Sequence, residues 1–145
     1  MYKHILIATD GSDLAQKAVG QGLSLARALD AKAIVVMVTE PLRTVASGEL
    51  MVAFPADEYE KTAAASAAKV LASAVDVARK VGIQTETLHV KEQLPAEGIV
   101  ETAKRVGADL IVMASHGRRG LSRMLLGSQA AKVVQLSEVP VLICR

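Results

Sequence analysis

Residues 110–131 read LIVMASHGRRGLSRMLLGSQAA. The run from Leu110 to Ala114 is unbroken and apolar, and it is too short for a buried helix. It predicts a strand covered on both faces, as in a parallel sheet. A basic loop bearing Gly117 and Gly120 follows, and Gly127-Ser128 then opens a segment with helical spacing as far as Leu136. Strand, glycine loop and helix in that order suit an anion. Glycine permits close backbone approach, a helix N-terminus offers unpaired N–H donors at its positive end, and arginine adds charge.

The same alternation recurs on either side of this stretch. His4 to Ala8 is a short apolar run that stops at Thr9-Asp10-Gly11-Ser12, with Ser12 placed to cap a helix carrying Leu14, Ala18, Gly22, Leu25 and Leu29 at helical spacing. Ile34 to Val38 predicts a second buried strand. Periodicity is lost from Thr39 to Ala56, a connection longer than most and marked by Pro41, Gly48 and Pro55. Asp57 to Val81 predicts a long alanine-rich helix with Val70, Leu71, Ala74, Val75 and Ala78 inward and Gly82 as its stop. Ile83 to Val90 alternates weakly, as expected of a strand nearer a sheet edge. Pro95 opens a third helix with Ile99, Val100, Ala103 and Val106 inward, closed by Gly107. Gly127 to Leu136 is the fourth helix and Val139 to Cys144 the last strand.

Five strands alternating with four helices predict an open α/β fold. It is a single domain over residues 1–145 in which a five-stranded parallel sheet carries helices on both faces. In such sheets ligands bind beyond the carboxyl ends of the strands, where the winding reverses. Thr9-Asp10 and Ser115-His116-Gly117 share one crevice if the first and fourth strands are neighbours.

Composition narrows the function. Of 145 residues 51% are hydrophobic but only 2% aromatic, so the core must be aliphatic, and there is no stacking platform for nucleic acid. A net charge of +2 with no polybasic run points the same way. The single cysteine, Cys144, excludes an internal disulfide and fits a reducing compartment. Its place in VPVLIC reads as a buried small hydrophobe. No stretch is long enough to span a bilayer, and residues 1–9 lack the form of a signal peptide, so a cytoplasmic location is expected. The three histidines, His4, His89 and His116, fall on different elements with no carboxylates converging on them, which gives a metal little to hold. Ser115, Ser122, Ser128 and His116 lack an evident third group to orient the histidine, so catalysis has no obvious constellation.

The loop is not a P-loop, since no Gly-Lys-Ser/Thr follows at the required spacing, nor is it G-x-G-x-x-G. It does resemble the nucleotide-binding branch of the universal stress proteins, whose members carry G-x2-G-x9-G-[S/T] after the fourth strand. Gly117, nine residues, and Gly127-Ser128 match the second half, while Ala114 stands where the first glycine would be. Ile7-Ala8-Thr9-Asp10-Gly11-Ser12 and Ser137-Glu138-Val139-Pro140-Val141-Leu142 resemble the family's first and last signatures, so the likeness spans the chain.

That resemblance implies an ATP-binding regulatory protein of the stress response. ATP, AMP or ADP is the expected ligand, with room for a Mg²⁺ ion held chiefly by its phosphates. Asp10 and Val38 would flank the adenine, with Ala8 and Thr9 giving backbone at its edge. Met113, Ala114 and Gly117 would lie against ribose and phosphates, and an Ala114 methyl would crowd the ribose. Gly127, Ser128, Gln129 and Ala130 would hold the phosphate chain, a side chain at 127 occupying phosphate space, and Arg118 and Arg119 would add charge. ATP tying these loops together would order the 39–56 connection and alter a surface for an unknown regulatory partner. The family also implies a homodimer through strand 139–144.

Local readings compete with these. Asp10 can join Ser12 in capping the first helix, Ser128 can cap its own, the arginines can be solvated, and His116 can be a loop hydrogen-bonder. Two other functions also stand: a nucleotide-independent dimeric scaffold of the same fold, and slow ATP hydrolysis or adenylyl chemistry using His116 or Asp10.

Overall fold

The apolar runs pair in parallel into one sheet. The computed structural model describes residues 1–42, 55–118 and 125–145. The elements are β1 (His4–Ala8), α1 (Asp13–Ala28), β2 (Lys32–Val38), α2 (Ala56–Val81), β3 (Thr85–Val90), α3 (Pro95–Val106), β4 (Leu110–Ala114), α4 (Ser128–Leu136) and β5 (Val141–Cys144). Strand order is β3-β2-β1-β4-β5. The first and fourth strands are neighbours, with Leu6 opposite Ile111 and Ile7 opposite Val112, so the winding reverses between them. Most of the 39–56 connection, together with Arg119 and Arg123, lies outside the described residues.

Strand alternation sorts the core into two layers. Ile5, Ile7, Val35, Leu110, Val112 and Ala114 pack under α1 and α2. Leu6, Ala8, Val36, Ile111 and Met113 pack under α3 and α4. Helix α1 buries Ala15, Ala18, Val19, Gly22, Leu23 and Ala26. Leu14, Leu25 and Leu29 border that stripe, half-buried, so the buried face of α1 is centred on its small residues.

Element ends fall where local chemistry puts them. Ser12 caps α1, its Oγ accepting from the Ala15 amide at 3.3 Å. Gly82 and Gly107 close α2 and α3 in the left-handed region, at φ 84° and 67°. Strand β3 starts at Thr85 because Ile83 is still bound up in the end of α2, its amide donating to Ala78 O at 3.0 Å. Strand β2 starts two residues early because its ladder with β1 recruits Lys32 opposite His4. Strand β5 starts at Val141, two residues later than expected. Pro140 has no N–H, and the Val139 amide is held by Ser137 Oγ at 3.1 Å. Cys144 is buried, and burial pushes its thiol pKa up, in keeping with a small core hydrophobe. No helix among the described residues is long and apolar enough to cross a membrane.

Candidate functional site

At the carboxyl ends of the strands, the reversal between β1 and β4 opens a crevice of about 310 Å³. That volume lies at the lower end of the range for small-molecule sites. Its apolar half is walled by Ala8, Val36 and Val38 from the sheet, Ile99 from α3 and Met113 from β4. Its polar half carries Thr9, Asp10, Gly117 and Arg118, with Gly127, Ser128, Gln129 and Ala130 at the start of α4. Every described residue that the sequence singled out for a ligand therefore borders one space, Ala114 included. Arg119 lies outside the described residues.

Asp10 holds the two loops of the crevice together. Its Oδ1 accepts from the Ser12 amide at 2.9 Å, and its Oδ2 accepts from the Arg118 amide at 2.8 Å. The first bond shapes the turn into α1. The second joins segments 108 residues apart in sequence and pins the β4 loop to the β1 loop. Gly117 is what allows it: a Cβ there would stand 2.2 Å from Asp10 Oδ2. Arg118 reaches back over the same turn, its Nη2 3.1 Å from where a Cβ on Gly11 would be.

The Gly127 amide donates to Ser115 O at 2.7 Å, which ties the start of α4 to the end of β4. A Cβ on Gly127 would meet that same oxygen at 2.9 Å and His116 Cα at 3.1 Å. The glycine is therefore also needed for contact with its own loop, a constraint separate from any ligand. Gly127 is also the N-cap residue, extended at φ −67° and ψ 159°, so Ser128 is the first helical residue and does not cap its own helix. Gly127 itself has no side chain with which to cap α4. The amides of Ser128, Gln129 and Ala130 are the donors that an α-helix leaves without internal partners, and all three residues border the crevice.

Ala114 packs in the α1/α2 layer, with 7% of its surface exposed. Met113 packs in the opposite layer, on the α3/α4 side of the sheet that also holds Ala8 and Val36. Ala114 thus belongs to the core layer beneath α1 while still bordering the crevice. The Thr9 amide is used by the sheet, donating to Val36 O at 3.0 Å, and Thr9 Oγ1 accepts from the Gly11 amide at 3.2 Å. His116 borders the crevice with its Nδ1 3.2 Å from Ser115 Oγ. His4 lies at the other end of the sheet beside Gly107, and His89 pairs with Thr39. Among the described residues no three His, Cys, Asp or Glu side chains are grouped to hold a metal ion.

Val36, Glu40, Pro95 and Ile99 border the crevice without having been singled out for it. Val36 and Ile99 have the pattern of ordinary core positions, and only the lie of α3 over β2 turns them toward a ligand. That lie depends on Gly98, where a Cβ would meet Val38 Cγ1 at 2.8 Å. Glu40 had a signal, since it stands just beyond the carboxyl end of β2.

Comparison with known proteins agrees with this geometry. A model of the universal stress protein family matches residues 1–145. Universal stress protein YxiE of Bacillus subtilis is 37% identical over the whole of both chains. A universal stress protein solved in complex with cAMP is 28% identical, with a TM-score of 0.71 and coverage of 99% of this chain and 97% of that one. The universal stress protein of Archaeoglobus fulgidus in complex with dAMP is 25% identical at a TM-score of 0.71, covering 99% of this chain and 98% of that one.

Proposed function

The chain belongs to the universal stress protein family, and we propose that its crevice binds an adenine nucleotide, with ATP, ADP and AMP as candidates, as a regulatory ligand. The observation that carries this reading is the joining of two halves in one space. The first turn of α4, with glycine at its N-cap, borders the same crevice as an apolar wall built from β1, β2, β4 and α3. An apolar slot takes a planar base, and helix amides with Arg118 take phosphate oxygens. Two related structures with adenine nucleotides bound, cAMP in one and dAMP in the other, favour the same ligand class. A Mg²⁺ ion accompanying ATP would sit on phosphate oxygens, with Asp10 or Ser128 as neighbours.

A ligand spanning the crevice touches the β1 loop, the β4 loop and the start of α4 at once. Its binding energy therefore favours the arrangement in which all three are closed on it, and a partner that reads that arrangement senses the nucleotide. The test is calorimetric titration with ATP and AMP, together with thermal melting. At ligand one hundredfold above Kd, the native state should gain about 2.7 kcal/mol. No heat and no rise in Tm at millimolar nucleotide would overturn the reading in favour of a nucleotide-independent scaffold.

We further propose a homodimer through the edge strand β5. Leu142 on that strand and Val134 and Leu136 on α4 are large apolar residues with 41–48% of their surface exposed, and pairing of two β5 edges would satisfy the open ladder. Light scattering at micromolar concentration should give twice the 15.2 kDa chain mass, and a monomer would refute the pairing.

A further inference from the structure

Two helices, not one, present their N-terminal turns at the crevice, and the structure treats them differently. At the start of α3 the N-cap position is Leu94, which has no oxygen to offer, and no side chain from its own segment caps the helix. The cap comes from the neighbouring helix instead: Gln129 Oε1 accepts from the Ala96 amide at 3.1 Å. At the start of α4 the N-cap position is Gly127, which has no side chain to cap it. The Ala96 amide at one N-terminus is thus taken by a neutral oxygen, while the first turn of the other borders the crevice. A second tie runs parallel to the first, because Lys132 of α4 pairs with Glu97 of α3. The bond to Lys132, Glu97's own backbone amide and the Lys132 charge hold its carboxyl below the usual range, against the opposing effect of burial.

We propose that Gln129 is a positioning residue that couples the base half of the crevice to the phosphate half. Its side chain holds Pro95 and Ile99, the α3 wall of the base half, in register with the α4 turn whose amides form the phosphate half. It also occupies the Ala96 amide at the α3 N-terminus. This rests on the nucleotide reading above and goes beyond it. Gln129 then matters even for a ligand that has no phosphate.

The experiment titrates the whole protein with adenosine and with AMP, in wild type, Gln129→Ala and Gln129→Glu. Removing the oxygen leaves the Ala96 amide without its partner and frees α3 to shift, so Gln129→Ala should weaken adenosine roughly five- to tenfold, the range of one lost hydrogen bond. Gln129→Glu restores an acceptor for that amide and should bring adenosine back to within about twofold of wild type, because a carboxylate at a helix N-terminus is favourable. The same variant should bind AMP more weakly than wild type, since its charge opposes the phosphate. Amide hydrogen exchange gives a readout independent of ligand, with the Ala96 amide exchanging faster in Gln129→Ala and slow again in Gln129→Glu. The coupling is overturned if Gln129→Ala binds adenosine as wild type does, or if Gln129→Glu fails to recover adenosine while slow exchange at Ala96 returns. If wild type binds neither adenosine nor AMP, the nucleotide reading itself falls and the coupling with it. Exchange at Ala96 would still show whether the cap exists.

Discussion

Gly117 shows how a residue with no side chain decides a site. Its place in a glycine loop suggests backbone flexibility or ligand approach, but the space it leaves is filled by an aspartate from the first strand's loop. Gly117→Ala would set a methyl 2.2 Å from Asp10 Oδ2 and force the carboxylate off the Arg118 amide. The lost bond involves a charged acceptor, so the variant should be destabilised by about 1.5–3 kcal/mol in urea unfolding. It should also bind nucleotide more weakly. An unchanged midpoint would mean that the Asp10 link contributes nothing to stability. Asp10, which the sequence offered as a neighbour of the adenine or as a helix cap, gives one oxygen to the turn into α1 and reaches across the crevice with the other. Neither the spacing of Asp10 nor that of Gly117 reveals the partnership, because the bond exists only once β1 and β4 are neighbours.

Among the elements, helix and strand ends away from the crevice hold the layers in place. Arg27, in the last turn of α1, donates through Nη1 to Val81 O at the end of α2. One cation thereby serves two helix C-termini. Arg27→Ala should lower stability by about 1 kcal/mol while leaving nucleotide affinity alone, which thermal melting and titration together can check. At the amino ends of the strands, Asp109 accepts from the amides of Lys3 at 2.8 Å and His4 at 3.0 Å, joining β4 to β1. Burial pushes this carboxyl's pKa up, but the Lys3 and His4 amides, with its own amide and the nearby His4, pull it further down, to below its ordinary value. The unfolded chain therefore binds the proton more readily. The stabilisation is complete above the ordinary carboxyl pKa of about 3.9 and is lost as pH falls through the lower folded value. Asp109→Asn should flatten that part of the acid-unfolding curve, and an identical acid limb in the variant would exclude Asp109 as its source.

For the whole molecule, the order of apolar runs and glycine stops was enough to write the architecture. Short aliphatic runs at His4, Ile34, Leu110 and Val139 can only be buried strands, and the helical spacing between them forces parallel crossovers with helices on both faces. The caps at Ser12, Pro95, Gly82 and Gly107 were legible for the same reason, since each acts on its own neighbours in the chain. Adjacency of β1 and β4 was stated only as a condition, because strand order is set by competition among all five strands for partners and helix cover. Once that order holds, it carries Asp10 to Arg118 and brings Ile99 and Val36 to the crevice wall. It also lets Gln129 cap a helix that begins 34 residues earlier. The sequence by itself determined the elements, the caps that close their helices and the residues suited to an anion, because these depend on local periodicity and on side-chain chemistry. Tertiary structure alone decided which of those residues touch, since contacts between segments a hundred residues apart follow from how the sheet is wound.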